Sequence, residues 1–193
     1  MLSLSLMMGR KSGKKSSLTA YVEKPVDVRF ADQERGEEVL LMLRAHPITN
    51  VPWILILLLL LLAPLVLPQI LKGTGLDPVG LPARTQILLF FSWYLFSLGY
   101  GILSFLSWYF NIHLVTNRRV IDLDYYGFLF YRLSEAPLYQ VQDITYQVGG
   151  LFSVIFNFGD LYIQTAAEKR EFDFLKIPNP AKVHDLLTDL VEE

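Results

Sequence analysis

The chain has 193 residues, of which 52% are hydrophobic, and its mean hydropathy is +0.36. This composition is too apolar for an ordinary soluble domain and predicts membrane spans. The formal net charge of −2 does not indicate a strongly charged partner such as nucleic acid. The absence of cysteine excludes disulfides, thiolate chemistry and cysteine-ligated metal sites.

The N-terminal region divides into two predicted parts. Residues 1–35 are expected to form a flexible arm, because Gly9–Ala20 is polar, basic and rich in serine and glycine. Residues 36–50 are expected to lie in the membrane interface. Within them, Gly36–Pro47 begins with two glutamates and ends with basic residues and a proline, which predicts a short helix. Its apolar middle, Val39–Leu43, leaves a buried strand as the competing interpretation.

Two uncharged apolar segments then predict a transmembrane hairpin over residues 51–110. As a helix, Val51–Leu71 would extend over about 31 Å, which matches the hydrocarbon core of a bilayer. The second segment, Ile87–Phe110, is slightly longer and should tilt. The sequence therefore predicts a protein of the cell membrane with two spans.

The distribution of basic residues predicts the orientation of this hairpin. The connector carries only Lys72 and Arg84, whereas four arginines flank the outer ends of the spans. These are Arg35, Arg44, Arg118 and Arg119. The bias places both termini in the cytoplasm. In such a hairpin Trp53, Trp108 and Tyr109 would lie at one membrane interface as aromatic anchors.

After the second span the pattern changes to the alternation that is typical of β-strands. Ile121, Leu123 and Tyr125 alternate with Asp122 and Asp124. We expect the apolar residues to face the core and the two aspartates to lie on a solvated outer face. Several further short strands follow, separated by turn residues.

The C-terminal segment has the pattern of an amphipathic helix. Asn179 is a good N-cap and Pro180 suits the first helical position. Leu186 and Leu187 lie at the centre of an apolar stripe with helical spacing. We expect this helix to cover the open face of a small antiparallel sheet.

Four motifs in this region carry a resemblance to a known family. The segments "VTNRRVIDLD", "APLYQVQDITY", "FNFGDLYIQTA" and "FDFLKIPNP" resemble, in order and spacing, the membrane-tethered bacterial pleckstrin-homology (PH) family. The points of correspondence are Thr116–Arg119, Gln142, Asp143, Phe158–Asp160 and Pro178.

This resemblance extends from Trp108 to the C-terminus and implies an α+β membrane protein. In this architecture the two-helix hairpin is followed, over residues 111–193, by a cytoplasmic PH-like antiparallel β-barrel of roughly seven strands. The C-terminal helix would cap the barrel. The resemblance supplies no reaction.

The turn formed by Thr116, Asn117, Arg118 and Arg119 has two interpretations. In the structural one, an arginine pairs with a carboxylate on a neighbouring strand. In the ligand-binding one, suggested by the resemblance, the arginines act like the basic residues that hold inositol phosphates between the first two strands of eukaryotic PH domains.

Three small residues of the second span, Ser97, Gly101 and Ser104, share one helix face. Small residues let two helices approach closely. This face would either join protomers into a homo-oligomer or pack against the first span of the same chain.

The sequence indicates neither catalysis nor transport. His46, His113 and His184 lie in separate segments without ligand spacing, so no metal or cofactor is expected. No phosphate-binding glycine loop or nucleophile elbow is present. Neither span carries the ionisable groups that are typical of transporters.

These features together predict a membrane-anchored PH-like binding or scaffolding module on the cytoplasmic face. It would contact membrane lipid, recognise a protein or peptide, and act through assembly. Two alternatives remain open at this point: a lipid-sensing or membrane-stress accessory protein, and a component of an oligomeric channel.

Overall fold

The computed structural model describes residues 18–25, 30, 33–72, 80–126, 130–166 and 171–192. Residues 1–17 of the expected flexible arm lie outside these ranges. The strands are β1 (Tyr21–Glu23), β2 (Val39–Leu43), β3 (Ile112–Thr116), β4 (Arg119–Tyr126), β5 (Phe130–Pro137), β6 (Val141–Gln147), β7 (Phe158–Thr165) and β8 (Glu171–Pro178). The helices are α1 (Val51–Lys72), α2 (Ala83–Phe110), α3 (Leu151–Phe156) and α4 (Pro180–Glu192). Short 3-10 turns cover Pro47–Asn50 and Leu138–Gln140.

The strands form two antiparallel sheets, one in the order β1-β2-β3-β4-β5 and the other in the order β6-β7-β8. The expectation of a single closed barrel is therefore wrong. The chain passes from one sheet to the other through the turn Leu138–Gln140. The backbone of this turn bonds to Arg118 and Ala166 instead of extending a ladder from β5 to β6.

The predicted helix over Gly36–Pro47 is wrong, and the competing strand interpretation is the one observed. Val39–Leu43 forms β2, which pairs with β1 on one side and with β3 on the other. Leu41 and Leu43 are fully buried between the sheets. Partner strands on both sides satisfy the backbone hydrogen bonds of β2, and this outweighs the helix-terminus signals at its ends.

The first sheet therefore takes strands from both sides of the apolar hairpin. β1 and β2 come from residues that were expected to form the arm and the interfacial segment, and β3 follows the second helix directly. In the described chain, residues up to Ile48 and from Trp108 onward form one compact unit. Thr49–Ser107 forms the other.

The faces of β4 are arranged differently from the prediction. Val120 and Asp122 point toward the core between the sheets, and Asp122 is buried. Ile121 lies on the opposite face, where it packs with Val39 and Leu114 in a second, smaller cluster. Both faces of this strand are covered, so alternation alone could not tell which face is the inner one.

The core between the sheets is closed by α4. Val183 and Leu187 of this helix are buried in the same cluster as the fully buried Phe172 and Phe174 of β8. Leu186, which was also expected in the core, is only half-buried. The predicted cover of the sheet by an amphipathic C-terminal helix is present.

The hairpin unit consists of α1 and α2. The segments Pro47–Lys72 and Ala83–Phe110 are both long and apolar enough to cross a membrane. Within the unit, Trp93 Nε1 donates a hydrogen bond of 2.7 Å to the carbonyl oxygen of Leu60. The two helices are thus in direct contact with each other.

Candidate functional site

The corner Thr116–Arg119 joins β3 to β4, and its first side chain organises the turn. The Thr116 hydroxyl is fully buried and accepts hydrogen bonds from the backbone N–H groups of Arg118 and Arg119, at 3.2 and 3.0 Å. The same hydroxyl lies 2.9 Å from Oε1 of Glu37, which comes from the other side of the hairpin in sequence. Threonine is favoured here because its side chain can replace backbone partners in a tight turn.

Arg119 forms the central ion pair of this corner. Its Nε and Nη2 donate to the two carboxylate oxygens of Glu37, each at 2.9 Å, and its Nη1 donates to Glu135 of β5 at 2.6 Å. Burial acts to raise the pKa of Glu37, but the hydrogen bonds from Arg119, the Glu34 amide and Thr116 outweigh it and hold that pKa below its ordinary value. The hydrogen bond to Glu37 in turn raises the pKa of Arg119.

The two middle residues of the corner hold the same preceding segment. Arg118 forms an ion pair with Glu34. The Asn117 side chain accepts a hydrogen bond from the Glu38 N–H at 3.0 Å and donates one to the Gly36 carbonyl at 3.2 Å. The corner therefore fastens residues 34–38, just before β2, to the turn between β3 and β4.

This geometry favours the structural interpretation of the corner. Both arginines face carboxylates, which are Glu34, Glu37 and Glu135. A phosphate group would have to displace these carboxylates before it could pair with either guanidinium. A ligand-binding role for the corner stays a prediction.

A buried histidine–aspartate pair lies on the inner face of the same hairpin. His113 Nδ1 is 2.6 Å from Asp122 Oδ1, and the two side chains are only 5% and 9% exposed. The imidazole stacks on Phe174 of the opposite sheet, with ring centroids 4.4 Å apart. The prediction that Asp122 lies on a solvated face is wrong, because a buried carboxylate is tolerated where a hydrogen-bonding partner faces it.

Sequence reasoning missed this pair although a signal was present. The antiparallel register pairs Val115 with Val120 and His113 with Asp122 about the short turn at Asn117. A two-residue turn therefore implies that His113 and Asp122 are cross-strand neighbours, on the same face. The pair is enclosed, and its evident effect is to fix the packing of β3 and β4 against Phe174.

Two of the expected interface anchors contact the residues that precede α1. Trp108 Nε1 donates to the carbonyl oxygen of Ala45 at 2.9 Å. The Arg44 guanidinium lies over the Tyr109 ring, 4.7 Å from its centroid. Burial lowers the pKa of Arg44, and Tyr109 counteracts this effect in part. These contacts join the chain before α1 to the end of α2.

The third anchor and the small-residue face belong to the hairpin unit. Trp53 donates a hydrogen bond to the side chain of a neighbouring asparagine. Ser97 is fully buried and donates to the Trp93 carbonyl at 2.9 Å. A Cβ atom on Gly101 would lie 2.9 Å from a methyl carbon of Leu57, and Ser104 is half-buried. This face packs against α1 of the same chain, which favours the intrachain interpretation.

Within the described ranges, no group of three or more His, Asp or Glu side chains is arranged to hold a metal ion. The histidines contact different partners: His46 stacks on Phe158, His113 on Phe174, and His184 lies edge-on to Tyr146.

The two-sheet domain closed by a C-terminal helix is PH-like, of mixed α and β structure. A family model described as Bacterial PH domain matches residues 39–191, and the chain belongs to this family. The match begins at the first residue of β2 and continues through the hairpin into α4. No curated protein and no solved structure matches the chain. PH domains are generally non-catalytic modules that bind lipids or proteins.

Proposed function

We propose that this chain is a membrane-anchored PH-like module that binds a protein or peptide at the cytoplasmic face and acts through assembly, without catalysis. The position of the apolar hairpin in the sequence, between two paired strands, carries this proposal. β2 ends at Leu43 and β3 begins at Ile112, yet the two strands are paired neighbours. The hairpin is thus inserted in the sequence between two paired strands of the domain, so a hairpin in the bilayer would tether that domain to the membrane through both of its ends.

The cytoplasmic location of the domain rests on the excess of arginine outside the connector. We expect a protease added to sealed, right-side-out cells to spare both termini, which would be tagged for detection. Lysis should then make both tags susceptible. Digestion of either tag in sealed cells would contradict the proposed orientation.

The open edge of the first sheet supports a peptide or protein as the partner. β5 is the last strand of this sheet, and within the described residues it pairs only with β4. Tyr131 and Leu133 on β5 are 53% and 49% exposed. An extended peptide can add to such an edge through its backbone and place side chains against exposed apolar groups.

A photo-crosslinking amino acid at Leu133 tests this surface in living cells. We expect a discrete crosslinked product from position 133, and its mass would distinguish a second copy of the chain from another protein. The same amino acid at Ala181, which is exposed on α4, is the matched control. Equal crosslinking at both positions, or none at Leu133, would contradict a partner at the β5 edge.

Gentle solubilisation followed by mass spectrometry separates this proposal from its alternatives. A stoichiometric protein partner that requires Leu133 supports the binding module. Co-purified lipid without a protein partner supports lipid sensing. Ion flux through liposomes containing only the purified chain supports the channel component.

A further inference from the structure

The short helix α3 exposes almost its entire apolar surface. Ser153 is its one buried residue. The other five are exposed to between 42% and 73%, namely Leu151, Phe152, Val154, Ile155 and Phe156. The surrounding stretch from Val148 to Gly159 carries no charged residue. A contiguous apolar surface without interspersed charges marks a contact site with a protein or a membrane.

The backbone on both sides holds α3 in a defined position. Gly150 and Asn157 flank the helix with φ angles of +94° and +50°, a region that glycine and asparagine tolerate best. At the base, a Cβ atom on Gly159 would lie 2.5 Å from the carbonyl oxygen of Gln147. The two strands that carry α3 therefore approach each other closely, and the helix extends from a tight neck.

The neck of α3 lies beside the point where the chain enters its first apolar segment. His46 stacks on Phe158 with ring centroids 5.5 Å apart, and its centroid is 6.4 Å from that of Phe156. The His46 N–H also donates to the Lys176 carbonyl at 2.7 Å. The next residue, Pro47, is the first of the candidate span Pro47–Lys72. Burial lowers the pKa of His46 and so favours the uncharged form of the ring.

We propose that α3 inserts into the interfacial layer of the bilayer, as a second membrane contact of the PH-like domain. The inference rests on the membrane anchoring proposed above and adds a lipid-binding site to it. The site takes the acyl chains and glycerol region of any bilayer lipid, because α3 offers apolar side chains and no charge to select a headgroup. Interfacial helices bury their apolar face to a depth of about 5–10 Å, and five of the six side chains of α3 are apolar and exposed.

Two observations favour a lipid surface over a protein partner for α3. His46 contacts Phe156 and Phe158 at the neck of α3 and directly precedes Pro47, the first residue of a candidate span. Protein interfaces also surround their apolar centre with a polar rim, whereas the stretch from Val148 to Gly159 contributes no charged residue to such a rim.

The absence of cysteine from the chain allows a direct test with single-cysteine variants. The full chain, labelled with an environment-sensitive fluorophore at Ile155→Cys, is reconstituted into phosphatidylethanolamine–phosphatidylglycerol vesicles with spin-labelled lipids. We expect lipids labelled near the headgroup to quench this fluorophore by about twofold or more, as for a group held in the interface. Ala181→Cys is the exposed control on the same domain. Leu59→Cys, in the middle of α1, reports membrane anchoring through lipids that carry the spin label near the end of the acyl chain.

The three positions separate the failure of this inference from failure of the anchoring. A quenched label at Leu59 with no quenching at Ile155 would overturn the insertion of α3 and leave the anchoring intact. An unquenched label at Leu59 would overturn both. Quenching at Ile155 that disappears when Phe152→Asp is added, while Leu59 remains quenched, would support the inference.

Discussion

The corner Thr116–Arg119 and the helix α3 are opposite kinds of surface on one domain. At the corner, the side chains bond to the segment before β2 or to β5, and the charged groups meet opposite charges. In α3, five of the six side chains are apolar and exposed to solvent. The charged groups of the corner are paired within the fold, whereas the domain leaves the apolar side chains of α3 exposed.

The roles of these two regions are the opposite of those that their sequence patterns suggest. Paired arginines suggest an anion-binding site, but Arg118 and Arg119 instead bond to the segment before β2 and to β5. The short apolar connector Leu151–Phe156, by contrast, forms an uncovered apolar surface on the domain. If the corner is structural and α3 is dispensable for folding, changes at the corner should destabilise the domain and changes in α3 should not.

The largest effect on stability is expected from removing β2 together with residues 34–38, which the corner holds. A fragment of residues 111–193 lacks β2, and with it Leu41 and Leu43, which are fully buried. Losing one large buried aliphatic side chain costs about 2–5 kcal/mol, against a total stability of about 5–15 kcal/mol. The fragment also leaves Arg119 without Glu37. We expect no cooperative thermal unfolding by circular dichroism and rapid amide hydrogen exchange.

A fusion that joins residues 18–48 to residues 108–193 through a short glycine-rich linker is the matched control. The Ala45 carbonyl lies 2.9 Å from Trp108 Nε1, so the two ends are close enough for such a linker. We expect this fusion to fold. Cooperative unfolding of the fragment of residues 111–193 at the temperature of the fusion would show that β2 is not required.

Much of the fold could be predicted from patterns among residues that are close together in the sequence. The two apolar helices follow from long uncharged runs, and α4 follows from its capping residues and apolar stripe. The strands β4, β6, β7 and β8 follow from alternation and turn residues. The hairpin register could also have placed His113 opposite Asp122, because a two-residue turn fixes cross-strand pairs.

Other features depend on contacts that sequence does not show. The strand β2 was ambiguous because Val39–Leu43 is apolar throughout, and its partner β3 begins about 70 residues later. The ion pair between Glu37 and Arg119 spans the same gap, so the glutamate resembled a helix-terminus signal. The covering of both faces of β4 is likewise decided by distant residues.

The next largest effect concerns the central ion pair of the corner. In Arg119→Met, the Glu37 carboxylate remains buried without its guanidinium partner. Breaking a buried pair by removing one member typically costs about 3–5 kcal/mol. We expect a loss of this size in the full chain in micelles, measured by pulse proteolysis in increasing urea.

Arg118→Met is the control for this prediction, because it removes an arginine from the adjacent position. The Arg118 and Glu34 side chains are 49% and 57% exposed, so the pair is screened by solvent. Exposed pairs contribute about 0–1 kcal/mol. Similar losses for the two variants would contradict the distinction between a buried and an exposed half of the corner.

Acid should weaken the same corner by a smaller amount. The pKa of Glu37 is lowered in the folded protein, so its interactions stabilise the fold fully above its unfolded value of 4.5. This stabilisation is lost as the pH falls through the lower folded value. We expect urea midpoints to decrease below pH 4.5 in the wild-type chain. Glu37→Gln should reduce that decrease, and an equally steep decrease in the variant would assign the acid sensitivity to other carboxylates.

The smallest effect on stability is expected in α3, which gives the sharpest contrast with the corner. Phe152 is 68% exposed, so Phe152→Ala removes an aromatic ring that makes little contact with the domain. Exposed substitutions away from special backbone positions usually change stability by less than about 0.5 kcal/mol. Phe174→Ala is the matched change at a fully buried position, and its expected cost is about 3–5 kcal/mol.

Both variants are measured in micelles and then in vesicles. If α3 contacts lipid, Phe152→Ala should leave the urea midpoint unchanged in both while reducing the lipid quenching of a label at Ile155. A loss of stability comparable to that of Phe174→Ala would mean that α3 packs on the domain itself, and the contrast between the two regions would no longer hold.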